Sequence, residues 1–198
     1  YMVHDKRNRR MTVRNAGGGA YRISDRLPEG LDPLLRQMLD YFLGNFREGG
    51  RIIRKAEIDP LAFHKALSKA WIYERMAKDE FICRLAGDDV RSMYDRPIVG
   101  CSLAKLIRAQ NVPEVMAHHE AILATPGIGY MTGRVYLQSL NRFGTGERLL
   151  LPALDEQGAA RFIWGATSYH FDTVGQDVIL EQPDRMLIPL ASLSADPS

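Results

Sequence analysis

Seven apolar residues, Leu34, Leu35, Met38, Leu39, Phe42, Leu43 and Phe46, recur at spacings of three and four between Asp32-Pro33 and Gly49-Gly50. That spacing puts them on one side of an α-helix. Asp is a favoured helix N-cap, and Pro is tolerated at the first helical position because the N–H it lacks has no partner there. The glycine pair stops the helix. A stripe this continuous must be buried, either on the rest of the chain or on the same helix of a second copy. The sequence leaves both open, and Leu35, Met38, Leu39, Phe42 and Phe46 are the candidates for a homodimer interface.

Downstream, Asp59-Pro60 repeats the start signal for a shorter helix to about Ser68, with Leu61, His64 and Leu67 on one side. The period then becomes strand-like. Residues 70–76 and 80–86 are rich in β-branched and aromatic side chains around Lys78-Asp79 and predict a hairpin. Short helical pieces follow over 88–110. Asn111 with Glu114 has the spacing of a capping box, and Val112, Val115, His119, Ile122 and Leu123 line a helix that ends at Pro126-Gly127. Strands are expected at 130–140, 148–153 and 161–169, joined by turns at Gly144-Thr145-Gly146 and Asp155-Glu156-Gln157-Gly158.

This order predicts an α+β fold: a five-stranded antiparallel sheet over 56–171 with helices on one face, preceded by the amphipathic helix and a linker over 31–55. Residues 1–30 hold seven Lys/Arg against three acids, with a Gly17-Gly18-Gly19 patch and little apolar periodicity, and read as a mobile basic arm. Residues 172–198 read as an extended or disordered C-terminal extension, despite apolar patches at 178–180 and 186–188.

The whole chain of 198 residues carries 26 Lys/Arg and 24 Asp/Glu, a net charge of +2, too balanced for a dedicated nucleic-acid or membrane-surface protein. No stretch approaches the roughly 20 apolar residues that cross a bilayer, and no apolar signal core opens the chain, so a cytoplasmic location is expected. The two cysteines, Cys83 and Cys101, lack CxxC spacing and suit a reducing compartment.

Ala56-Glu57-Ile58-Asp59-Pro60, Phe81-Ile82-Cys83-Arg84-Leu85-Ala86-Gly87, Val99-Gly100-Cys101-Ser102-Leu103 and Leu149-Leu150-Leu151-Pro152-Ala153 together resemble a PAS family found mainly in alphaproteobacteria and long known only as a domain of unknown function. The resemblance spans about 31–170, with Arg84-Leu85-Ala86-Gly87 its most specific piece. It departs from the family pattern at Ile52-Ile53-Arg54-Lys55, where a Leu-Pro pair is usual, and in having no Trp after Tyr41. It implies a non-catalytic sensory or protein-interaction module in bacterial signalling, with a small ligand held between sheet and helices and an unidentified partner protein reading the change.

Pocket candidates are Arg84, Tyr94, His119, Tyr136 and Trp164. A guanidinium on an otherwise apolar strand face can grip a carboxylate or phosphate, and the aromatics offer pocket walls. Arg134 reads instead as a surface ion pair. Neither haem nor flavin is expected: an inward histidine is more often a satisfied core residue than an iron ligand, and the Asn-Cys-Arg-Phe pattern of flavin adducts is missing. No metal site is expected, since Asp88-Asp89 has no third ligand. G-x-S-x-G and H-E-x-x-H are also missing. The rival reading is a small α+β cone-fold enzyme with His119 as general base.

Overall fold

Asp32 accepts from the backbone N–H of Leu34 at 2.9 Å and Leu35 at 3.5 Å, which starts helix α1 (Pro33–Gly49), and Gly50 closes it at φ 63° with its N–H on the Phe46 carbonyl. In the computed structural model, residues 11–14, 20–137, 142–171 and 183–193 are described, with the backbone alone at 11–14, 20, 134–137 and 142–143. The strands are β1 (Met11–Arg14), β2 (Ala20–Ile23), β3 (Ala70–Ala77), β4 (Glu80–Ala86), β5 (Gly127–Leu137), β6 (Arg142–Leu154), β7 (Ala160–Phe171) and β8 (Asp184–Pro189). Helices α2 (Asp88–Arg91), α3 (Val112–Ala124) and α4 (Leu190–Leu193) complete the set, with 3-10 turns between them.

The sheet order is β1-β2-β8-β5-β6-β7-β3-β4, antiparallel except where β2 runs parallel to β8. Five of these strands, β3 to β7, are the predicted antiparallel sheet, but the count of five is corrected to eight. The expected C-terminal extension supplies β8, which sits between β2 and β5 and buries Arg185, Met186, Leu187 and Ile188. The expected basic arm supplies β1 and β2 at 11–14 and 20–23. Residues 1–10, 15–19, 172–182 and 194–198, including the 178–180 patch, lie outside the described residues.

Helices cover both faces of the sheet rather than one. Along β6, Leu149, Leu151 and Ala153 point to α1 while Leu150 points to α3; along β7, Trp164 and Ala166 point to α1 while Ile163 points to α3. A strand apolar on both sides must be covered on both. The α1 stripe meets that demand within the chain: Leu35, Met38 and Leu39 are 0% exposed and Phe42 1%, and Phe46 packs at the edge of the same cluster. These five residues are therefore core of the single chain, which corrects their assignment to a homodimer interface.

Three local expectations also shift. Residues Pro60–Lys69 form two short 3-10 turns joined by a kink at Phe63 (φ −135°, ψ 36°), which bury Phe63 and Ala66, while Leu61 is 75% exposed. Gly144-Thr145-Gly146 is no turn but lies inside β6, where a Cβ on Gly144 would come within 2.5 Å of the His170 carbonyl oxygen. Asn111 makes no side-chain cap to α3; Glu114 instead binds Arg185 of β8.

Candidate functional site

The alternation that sends Leu149 and Leu151 to α1 sends Arg148 to the α3 side, directly opposite Thr167 on β7. Arg148 Nε donates to Thr167 Oγ1 at 3.1 Å, and the guanidinium lies 5.8 Å over the Trp71 ring. Thr167 Oγ1 also accepts from Trp71 Nε1 at 2.9 Å. With both lone pairs engaged, the hydroxyl keeps its own hydrogen to donate.

Tyr73, Tyr94 and Tyr169 surround this half-buried cation. Burial works against its charge, and the three phenols outweigh that effect and raise its pKa. Burial also raises the Tyr73 and Tyr94 hydroxyls above the ordinary tyrosine range, so both stay protonated donors. Among the described residues, no carboxylate lies within ion-pair distance of Arg148, and Tyr169 is hydrogen-bonded to its guanidinium. Among the described residues, this cluster therefore holds one cation and several hydroxyls without an acid.

On the reverse side of the same strands, the neighbouring pair Glu147 and Ser168 holds α1. Ser168 Oγ donates to Asp32 Oδ2 at 2.7 Å, the Asp32 N–H donates to Glu147 Oε2 at 2.9 Å, and the Tyr130 hydroxyl donates to Glu147 Oε1 at 3.0 Å. Burial works to raise the Asp32 pKa, but the Ser168 hydroxyl and the Leu34 and Leu35 N–H groups bring it below the usual carboxylate value.

The expected pocket residues do not come together. His119 and Tyr94 lie on the α3 side with Arg148, whereas Trp164 lies on the α1 side against Phe42 and Phe63. Arg84 is exposed and pairs with Glu74 at 2.7 Å, because a bulge between Ile72 and Tyr73 keeps β4 out of simple alternation. Tyr136 pairs with Phe143 in the β5–β6 ladder, and its side chain, like that of Arg134, lies outside the described residues. His119 is 2% exposed, donates from Nδ1 to the Val115 carbonyl at 2.8 Å and meets Phe81 and Tyr73 edge-on. Among the described residues it has no acidic partner, and burial pushes its pKa down to about 3. Arg148 was not among the expected pocket residues; its signal in the sequence is a charge in phase with Leu150 on a strand apolar on both faces.

A depression of about 260 Å³ lined by Asn45, Glu48, Gly49, Arg51, Ile53 and Glu57 lies at the far end of α1, where Arg51 and Glu57 satisfy each other. Among the described residues no group of three His, Cys, Asp or Glu side chains is placed to hold a metal ion, and no helix is long and apolar enough to cross a membrane.

No curated protein matches the chain. A solved structure described as an RNA-binding Light-Oxygen-Voltage receptor shares 14% identity, with a TM-score of 0.42 over 73% of this chain and 35% of that one. This chain thus spans about a third of that receptor's length, and a likeness so distant says nothing of what it binds. The PAS domain family matches residues 33–168, a span that takes in α1, the β3–β4 hairpin, α3 and the strands that carry Arg148 and Thr167. The chain belongs to the PAS domain family.

Proposed function

We propose that this chain is a non-catalytic PAS sensory module that receives a small, colourless ligand at Arg148 and reports it through α1 to a partner protein. The observation that carries this reading is the back-to-back placement of two neighbouring cross-strand pairs. Arg148 and Thr167 face the α3 side, and Glu147 and Ser168, one residue away on the same strands, hold the N-cap of α1 on the other. A ligand that moves the first pair by a few tenths of an ångström loads the second, and any preference for one placement of Asp32 shifts the population of α1 arrangements. The solvent-facing side of α1, with Asp40, Arg47 and Glu48 exposed, is what a partner would meet. The general-base alternative lacks support, because His119 has neither an acidic partner among the described residues nor access to solvent.

The chain carries its own reporters. Its two tryptophans lie one on each side: Trp71 beneath Arg148, and Trp164 against Phe42 of α1. In Trp164→Phe only Trp71 emits, and in Trp71→Phe only Trp164 does. A low-molecular-mass fraction of cell extract that changes Trp71 emission should also change Trp164 emission. A fraction that moves Trp71 and leaves Trp164 unchanged would overturn transmission through the sheet.

A further inference from the structure

Cys83 and Cys101 stand opposite each other at one edge of the sheet. Strand β4 ends the sheet order, and the segment before Leu103 runs along its outer side. Ile82 forms an antiparallel bridge with Ser102, the Cys83 N–H donates to the Cys101 carbonyl at 3.0 Å, and the Gly100 N–H donates to the Cys83 carbonyl at 2.8 Å. A tight turn sets this register. The Cys101 N–H donates to the Ile98 carbonyl at 3.0 Å, and Gly100 sits at φ 86°, where a side chain would be strained. Gly100 and Cys101 together thus oppose the single residue Cys83, as in a bulge. Opposed residues of an antiparallel pair turn their side chains to one face with Cα atoms about 4.5–5.5 Å apart, and a disulfide spans about 4.4–6.8 Å.

Both cysteines are free thiols, and they differ in what reaches them. Cys101 is half-buried, with its Sγ donating to the Pro97 carbonyl at 3.4 Å. Cys83 is 0% exposed in the cluster that holds Phe81, Ile98 and Leu103, with its Sγ donating to the Leu85 carbonyl at 3.4 Å. A thiol is a weak donor, so little holds either sulfur from turning about its Cα–Cβ bond toward the other. Burial raises the Cys83 pKa and the nearby Cys101 adds to the rise, so Cys83 stays protonated until a reactive sulfur comes within reach.

We propose that Cys83 and Cys101 form a peroxide-modifiable pair that closes to an intramolecular disulfide. The Cys101 sulfur attacks one oxygen of hydrogen peroxide, the O–O bond breaks, and the leaving hydroxide takes the thiol proton as water, which leaves a sulfenic acid. The Cys83 sulfur then attacks the sulfenic sulfur, the S–O bond breaks, and hydroxide leaves with the Cys83 proton as a second water. Two electrons pass from two thiols to one peroxide. The new bond ties β4 to the turn at Gly100 and closes a loop that carries α2 and Tyr94. It requires no ligand at Arg148, so it stands apart from the sensory reading.

The full chain, reduced with dithiothreitol and desalted, is treated with hydrogen peroxide under native conditions. Its intact mass should fall by about 2 Da, the two hydrogens removed. A non-reducing tryptic map should join peptide 79–84 to peptide 92–105 of the same chain, and dithiothreitol should reverse both changes. Cys83→Ala removes the resolving thiol, so Cys101 should stop at the sulfenic acid and be trapped by dimedone at least about fivefold more than in the wild type. Cys101→Ser should leave Cys83 unmodified while near-ultraviolet circular dichroism stays native. The wild-type map stands without either variant. An unchanged mass, oxidation of Cys101 to the sulfinic acid with no crosslink, a disulfide found only between chains, or equal dimedone trapping in wild type and Cys83→Ala would each overturn the proposal.

Discussion

His118 and His119 are adjacent, both 2% exposed, and each is satisfied by a carbonyl: Met186 for His118 Nε2 and Val115 for His119 Nδ1. Burial lowers both pKa values, to about 4 and about 3, so the fold keeps them neutral where the unfolded chain, titrating near pH 6.5, takes up protons. The stability they allow is complete above pH 6.5 and is lost as pH falls towards 4, at about 1.4 kcal/mol per histidine per pH unit. Urea unfolding at pH 7 and pH 5 should therefore differ by about 4 kcal/mol for the pair, and His118→Gln, whose amide still reaches the Met186 carbonyl, should remove about half of that difference. An unchanged slope in His118→Gln would count against burial as the cause. Trp164 makes the opposite point: it is 2% exposed, and its indole N–H has no partner among the described residues. Trp164→Phe deletes that orphan donor along with part of a ring, so denaturant unfolding should show a loss below about 1.5 kcal/mol, well under the ~3–5 kcal/mol of truncating a core aromatic to Ala.

At the scale of elements, Asp32 does more than cap a helix, because one of its oxygens takes the α1 backbone and the other takes Ser168 of β7. Asp32→Ala loses both and should cost about 2–3 kcal/mol, whereas Asp32→Asn keeps the capping oxygen and should cost about 1 kcal/mol. Hydrogen exchange at Leu34 and Leu35 separates the two variants: protection should fall in Ala and largely survive in Asn. The cap itself was legible, since Asp-Pro before a stripe and Gly-Gly after it are local signals, as were the β3–β4 hairpin and the α3 stripe. What the sequence hid was pairing at long range. Residues 186–188 are as apolar as any strand, but nothing local says that they lie between β2 and β5, and His118 falls outside the Val112/Val115/His119 stripe because the β8 backbone that buries it lies 68 residues away. The site was half legible for the same reason. His119 and Tyr94 lie on the expected side, but Trp164 faces α1 because both faces of the sheet are covered, and Arg84 is exposed because a single bulge in the β3–β4 pair resets which side its side chain takes.

The whole molecule is a sheet between two unequal helical layers, and each layer gives a different answer to what a buried residue is for. On the α3 side, Arg148 leaves a cation without an acid among the described residues, so that layer has chemistry to spare. On the α1 side, Leu35, Met38, Leu39 and Phe42 meet Leu149, Leu151 and Trp164 with essentially no exposure, so that layer is filled. Leu39 distinguishes a filled core from an interface between copies. Were Leu39 at an interface, Leu39→Asp would yield a folded monomer. Buried as it is, the aspartate would be an unpaired charge in an apolar layer, and its desolvation would compete with a total stability of about 5–15 kcal/mol. Leu39→Asp should therefore lose its cooperative thermal transition and near-ultraviolet dichroism together, whatever the protein concentration. Leu39→Ala should remain folded and lose about 3–5 kcal/mol in urea, the cost of a cavity in a packed layer. The exposed neighbour Asp40 supplies the control, because Asp40→Ala alters the same helix without touching the layer beneath it. A native Leu39→Asp chain that sediments at half the mass of the wild type would return the stripe to the surface and place a second copy where this structure places the sheet.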